Sequence, residues 1–184
     1  MSEWSSVTNL NQAKRLIHPQ PFVVDVVLEQ ADWPPARTVL DFGCGVGRNL
    51  ALLAQRFPVV WAYDFPNMVG MAHAYLDRTT LDRVHFVVPP ITNLAGLSFD
   101  LIVATLVFQH IPEAELRISV LPALCESLAP GGQMFIETRS YLDGSRAEVL
   151  PILADFVRPV APIVEYPAKE MHYSGWFVPR SLEG

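Results

Sequence analysis

The chain has 184 residues, of which 51% are hydrophobic and 17% charged, with a formal net charge of −6. One globular domain with a substantial core fits these values, and a disordered chain does not. An acidic balance without a cluster of Lys and Arg speaks against a nucleic-acid surface, and the longest apolar run, Leu101 to Phe108, is too short to cross a bilayer.

The opening residues Met1-Ser2-Glu3-Trp4-Ser5-Ser6 have neither the basic region nor the apolar stretch of a signal peptide. Cys44 and Cys125 suggest no disulfide framework, so a protein of the reducing cytoplasm is expected. Residues 1–34 read as a helical cap over a sheet, 35–140 as the core, and 141–184 as closing strands with a short lid. Short, mostly apolar runs predict strands at about 37–42, 58–63, 83–88, 99–105 and 132–138, patterned as parallel strands covered on both faces.

Helical spacing fills the gaps. Leu50, Leu53, Ala54 and Phe57 repeat after the first strand, and Met68, Met71, Ala72 and Tyr75 after Pro66, a residue suited to a first helical turn. A third helix is expected from Pro112 to Leu128, with Leu121, Leu124 and Leu128 facing inward and a kink or broken start at Pro122. Ala129-Pro130-Gly131-Gly132 should turn the chain into the fifth strand. A helix around Glu148–Val157 and two closing strands complete the reading. Strict alternation of strand and helix implies an α/β fold, a Rossmann-like, doubly wound and mostly parallel sheet flanked by helices.

The most informative stretch is Val39-Leu40-Asp41-Phe42-Gly43-Cys44-Gly45-Val46-Gly47-Arg48-Asn49-Leu50. A buried strand runs into a glycine turn and then a helix, the arrangement that cradles a nucleotide cofactor. A dinucleotide site wants G-x-G-x-x-G, whereas here the glycines fall at 43, 45 and 47. The carboxylate of Asp41 at the strand end would repel a pyrophosphate. It can accept hydrogen bonds, directly or through water, from an ammonium or hydroxyl group, which favours a cationic amino-acid head.

These residues resemble the glycine motif of the class I S-adenosylmethionine-dependent methyltransferases, of the small Rossmann-like type. Further similarities follow in order over about residues 35–140. Ala62-Tyr63-Asp64-Phe65 ends the second strand, and the resemblance makes Asp64 the acceptor for ribose hydroxyls, 23 residues after Asp41. Met68 resembles the family's apolar residue against adenine. Phe99 to Leu106 with Val107-Phe108-Gln109-His110-Ile111-Pro112 resembles the fourth strand and its switch-point loop, and Leu128 to Gly132 the turn before the fifth strand.

The resemblance implies S-adenosyl-L-methionine as cofactor, S-adenosyl-L-homocysteine as product, and a cofactor site of Asp41, Gly43, Cys44, Gly45, Gly47, Asp64, Phe65, Met68, Pro90, Ile91, Ala104, Thr105 and Leu106. One departure is Val88-Pro89-Pro90-Ile91-Thr92, where the family often carries an acidic residue near the adenine amino group. Adenine recognition would then rest on backbone around Pro90 and Ile91, or on Thr92.

Each assignment has a plainer alternative. Asp41 or Asp64 can cap a helix, and Met68 can be ordinary core. Cys44 reads as a small turn residue rather than a nucleophile. His110, where the family often has a histidine, is either a general base for a substrate hydroxyl or a brace for the helix starting near Pro112. His18, Glu137, Arg139, His172 and Tyr173 are pocket candidates by position alone, and no His, Cys and Asp cluster has metal-ligand spacing.

Ala104-Thr105-Leu106-Val107 stands where enzymes acting on exocyclic base amines or glutamine amides carry Asn/Asp-Pro-Pro-aromatic. A small-molecule acceptor is therefore expected, with no nucleic-acid or membrane partner, and a monomer or homodimer. Tyr141, Phe156, Tyr166, Tyr173, Trp176 and Phe177 would line an aromatic pocket or cover the sheet edge. Two rival functions remain: a non-catalytic cofactor-binding scaffold that needs a partner, and an NAD(P)-dependent oxidoreductase.

Overall fold

A computed structural model describes residues 38–140, 148–167 and 171–180. The expected helical cap over residues 1–34, and His18 and Tyr141, lie outside the described residues. Five parallel strands form the first part of the sheet: β1 (Thr38–Phe42), β2 (Val59–Tyr63), β3 (Val84–Val87), β4 (Phe99–Thr105) and β5 (Leu128–Ser140). Then follow β6 (Val157–Pro159), β7 (Val164–Pro167) and β8 (Met171–Pro179). The strand order is β3-β2-β1-β4-β5-β8-β6, with β7 also on β8, so the doubly wound, mostly parallel sheet read from the sequence is present.

Helices α1 (Leu50–Arg56), α2 (Pro66–Tyr75) and α5 (Val149–Phe156) occupy the expected places, and a one-turn helix α3 (Arg78–Leu81) was not anticipated. Asp77 caps α3, its side chain accepting the Thr80 N–H at 2.7 Å. Strand residues two apart share a face, and the two faces carry separate cores. Val39, Val60, Ala62, Val103 and Phe135 pack under Leu50, Leu53 and Ala54 of α1. Leu40, Phe42, Ile102 and Met134 pack under the helix that follows β4. Connections from β1 and β4 thus leave on opposite faces, which opens a crevice at their carboxyl ends.

The structure corrects four expectations. The helix α4 is a composite of Glu113–Glu115, Leu116–Val120 and Leu121–Glu126. Its middle part is π-helical, Leu121 donating to the Leu116 carbonyl five residues back. Pro122 has no N–H to continue the regular ladder, so the predicted break falls just before it. Leu121 and Leu124 are buried as expected, but Leu128 has left the helix and begins β5.

Secondly, Ala129-Pro130-Gly131-Gly132 is a bulge inside β5 and not a turn before it. Phe99 pairs with Leu128 and Leu101 with Gln133, so the extra residues loop out between two paired positions. Gly131 takes φ +81°, and a Cβ at Gly132 would lie 2.9 Å from the carbonyl oxygens of Ala129 and Phe99. Thirdly, three closing strands replace the expected two, with β6 and β7 end to end on the outer edge of antiparallel β8.

Fourthly, Trp176 and Phe177 are core residues on opposite faces of β8 rather than pocket lining. Trp176 meets Phe135 edge-on at 5.1 Å. Phe156 likewise packs against the core, and the side chain of Tyr166 lies outside the described residues.

Candidate functional site

The carboxyl ends of β1, β2 and β4 are aligned by their register, Asp41 standing opposite Ala62 and Val103. The glycine turn leaves β1 there. Gly43, Gly45 and Gly47 all adopt left-handed conformations, with φ of +75°, +58° and +85°. The N–H groups of Gly43 and Cys44 donate to the Tyr63 carbonyl at 2.8 and 3.2 Å, which ties the turn to the end of β2. A Cβ at Gly43 would lie 2.4 Å from Val107 Cγ2, so the loop after β4 sits directly on this glycine.

That loop is itself strained. Leu106 has φ +55°, an uncommon value for a residue with a branched side chain. Two hydrogen bonds hold it: its N–H donates to the Glu137 carbonyl at 2.8 Å, and its carbonyl accepts from Gln109 Nε2 at 3.0 Å. Gln109 Oε1 in turn accepts from Thr138 Oγ1 on β5 at 3.2 Å. Thr105 is buried and accepts from Asn49 Nδ2 at 3.3 Å, joining β4 to the start of α1, and Ala104 is fully buried. No role was assigned to Asn49 or Gln109 from the sequence; both are buried, and the only sequence signal was an amide among apolar neighbours.

The acidic residues divide the work. Asp64 directly follows β2 and is half-buried. Its Oδ2 accepts the Gly45 N–H and its Oδ1 the Phe65 N–H, both at 2.7 Å. Burial pushes its carboxyl up to about 6, against the opposing pull of those two N–H donors. It makes no cap bond to α2, so its remaining lone pairs stay available to hydroxyl donors.

Asp41 is fully buried, and neither of its carboxylate oxygens has a hydrogen-bond partner. Burial raises its carboxyl to about 7, with Arg48 pulling it down and Asp64 pushing it further up. It caps no helix. A buried carboxylate without a donor is costly unless a ligand or its water supplies one.

The other expected residues fall around these two. Phe65 is half-buried, whereas Met68 is 2% exposed. Ile91, half-buried, begins a 3-10 turn (Ile91–Leu94) directly after exposed Pro90, whose peptide bond with Pro89 is cis. Cys44 is buried, and burial with the nearby carboxylates of Asp64 and Asp41 holds its thiol well above the ordinary range, which suits a turn residue and not a nucleophile. His110 ends a 3-10 turn (Phe108–His110), is half-buried, and donates its N–H to the Val107 carbonyl at 2.9 Å.

Glu137 is buried on β5, on the same sheet face as Asp41 and Thr105. Burial raises its carboxyl, while Arg48 and Arg139 lower it. Arg139 and Tyr173 line a shallow cleft with Thr138, Glu148, Val149 and Leu150. The side chain of His172 lies outside the described residues. Among the described residues no group of three His, Cys, Asp or Glu side chains is gathered for a metal ion, and no helix is long and apolar enough to cross a membrane.

These features fit the cofactor that the resemblance implies. The three left-handed glycines let the turn close tightly at the strand ends, Asp64 offers acceptors for hydroxyls, and Asp41 lacks the donor an ammonium would provide. The acidic side chains of Asp41 and Asp64 beside the turn disfavour a pyrophosphate.

Comparison with known proteins agrees. The family described as "Methyltransferase domain" matches residues 16–182. Trans-aconitate 2-methyltransferase of Variovorax paradoxus is 33% identical over 113 residues, 60% of this chain and 42% of that protein. Protein-L-isoaspartate O-methyltransferase of Pyrococcus horikoshii is 31% identical over 130 residues, 66% of this chain and 53% of that protein. The chain spans about half the length of these curated relatives. Among solved structures, the N-methyltransferase NodS from Bradyrhizobium japonicum, in complex with S-adenosyl-L-homocysteine, superposes with a TM-score of 0.69 at 19% identity, covering 88% of this chain and 85% of that chain. A match across residues 16–182, joined to the strand order and the glycine turn, shows that the chain belongs to the methyltransferase-domain family and has the class I S-adenosylmethionine-dependent methyltransferase fold.

Proposed function

We propose that the protein is an S-adenosylmethionine-dependent methyltransferase acting on a small molecule. The observation that carries this reading is the buried Asp41 carboxylate without a donor, beside three left-handed glycines. When bound, the cofactor supplies a methyl group already activated on a sulfonium. Gly43, Cys44, Gly45 and Gly47 would border its methionyl part, Asp64 would accept its ribose hydroxyls, and Phe65, Met68, Pro90 and Ile91 would flank its adenine. Ala104, Thr105 and Leu106 form the wall between cofactor and acceptor, held by the bonds to Asn49, Glu137 and Gln109. Rate enhancement then comes largely from placing the acceptor in line and excluding water.

His110 is the chain's candidate for taking a proton from an acceptor hydroxyl. The acidic chain without a basic cluster supports a small acceptor over nucleic acid, and the same reading places a monomer or homodimer in the cytoplasm. Because the chain spans about half the length of its curated relatives, a second reading is a cofactor-binding scaffold completed by a partner.

Calorimetric titration with S-adenosylhomocysteine, with NADH as control, tests the first reading. Binding of the former alone, weakened at least tenfold in Asp64→Ala without loss of the fold, is expected; no binding of either removes the enzyme reading. Turnover separates enzyme from scaffold, since a scaffold binds the ligand yet never releases S-adenosylhomocysteine with any acceptor pool. His110→Ala should lower turnover and leave cofactor affinity unchanged. Normal turnover with a large loss of thermal stability would assign it the bracing role.

A further inference from the structure

We propose that Arg48 is the carboxylate clamp of the cofactor site, forming with Asp41 a divided pair that receives the two ends of one zwitterionic α-amino-acid head. The inference rests on the methyltransferase reading and adds to it a residue that decides which cofactor forms are accepted.

Arg48 follows Gly47, the last left-handed glycine of the turn, and directly precedes Asn49, the N-cap of α1. Its side chain therefore springs from the turn that faces the ligand. The residue is half-buried, and among the described residues its guanidinium makes no hydrogen bond and no ion pair. Burial holds it below the ordinary arginine range, while the carboxylates of Asp41 and then Glu137 favour its charge and Arg139 opposes it. Arg48 and Asp41 thus act on each other by charge, with no hydrogen bond between them.

Asp41 is in the matching condition, with both oxygens buried and without a donor. An arginine and a carboxylate that flank one small turn would ordinarily close on each other in a forked pair of hydrogen bonds, satisfying both. Here the fold holds them apart, and each lacks what the other could give. A ligand that repairs both must carry a cation and an anion a few bonds apart. An α-amino-acid head does so on a single carbon, its ammonium toward Asp41, directly or through one water, and its carboxylate on Arg48. A phosphate would satisfy Arg48 but would be repelled by Asp41, Asp64 and Glu137. Glu137, buried on β5, favours the charge of the guanidinium as Asp41 does.

The test compares two ligands by calorimetry: S-adenosylhomocysteine, and its decarboxylated amine, which keeps the ammonium and lacks the carboxylate. The wild-type protein should prefer the former by roughly 10- to 100-fold, the range of a charge-assisted contact. In Arg48→Gln that preference should collapse to near unity, through weaker binding of S-adenosylhomocysteine alone, while Arg48→Lys should keep an intermediate preference. If Arg48→Gln does not fold, which its thermal melt reports, the Arg48→Lys preference decides: a value equal to wild type overturns the clamp. Equal losses for both ligands in Arg48→Gln would assign Arg48 a structural role with Glu137 and overturn the proposal. Wild-type failure to bind S-adenosylhomocysteine would remove the methyltransferase reading and the clamp with it, whereas binding with no preference between the two ligands overturns the clamp alone.

Discussion

Asp41 is where the chemistry of this chain is most exposed to measurement. Its carboxyl, ordinarily near 3.8, is held at about 7 by burial. Between those two pH values the folded protein keeps a proton that the unfolded chain has released. Stability of the free protein therefore falls as pH rises from about 4 to about 7, and levels off above. Asp64, raised to about 6, acts in the same direction over a narrower span. Replacing Asp41 by Asn removes the buried charge. The variant should be more stable than wild type at pH 8 by up to about 4 kcal/mol and little different at pH 4. Urea denaturation at the two pH values checks this, and parallel pH dependence in the two proteins would refute it. The same variant should bind S-adenosylhomocysteine more weakly, since its ammonium would lose the charge of its acceptor. Stability and binding thus pull against each other at one residue, as at many functional sites.

At the scale of elements, the glycine turn and the loop after β4 work as one device. Val107 rests where a side chain on Gly43 would have to be, and Leu106 is held in a left-handed conformation beside it. Gly43→Ala should cost roughly 2–4 kcal/mol, from the left-handed backbone and the clash together. Adding Val107→Ala to it should recover part of that loss, making the double variant more stable than the sum of the two single changes implies. Strict additivity in chemical denaturation would show that the two loops do not share this seat.

Sequence legibility varies at this scale in an instructive way. Strands β1 to β4 and helices α1, α2 and α5 were readable because apolar runs and helical spacing report burial directly. Pro122 announced a broken helix, since a missing N–H acts locally. Ala129 to Gly132 carries strong turn signals, yet the ladder partners Phe99 and Leu101 keep the strand continuous and push the extra residues into a bulge. For Trp176 and Phe177 the sequence left a pocket lining and an edge cover equally open, and pairing with β5 placed them on opposite buried faces instead.

For the whole molecule, the doubly wound sheet, its glycine turn and the family resemblance all followed from the order of residues along the chain. Periodicity, glycine spacing and an acidic strand end are local properties, and a linear sequence records them. Which charged groups meet is a different matter, because Asp41 and Glu137 lie on two strands, Asp64 just beyond a third, and Arg48 in the glycine turn. Arg48 lay inside the most informative motif and still could not be assigned, since its meaning depends on Asp41 and Glu137 across the sheet. Likewise, the left-handed backbone at Leu106 comes from bonds to Glu137 and Gln109 and not from its own preference. The sequence alone therefore determined the elements, their alternation and the kind of cofactor turn. Tertiary structure alone decided which buried polar groups pair and which are left without a partner, because desolvation and hydrogen-bond geometry exist only once the strands lie side by side.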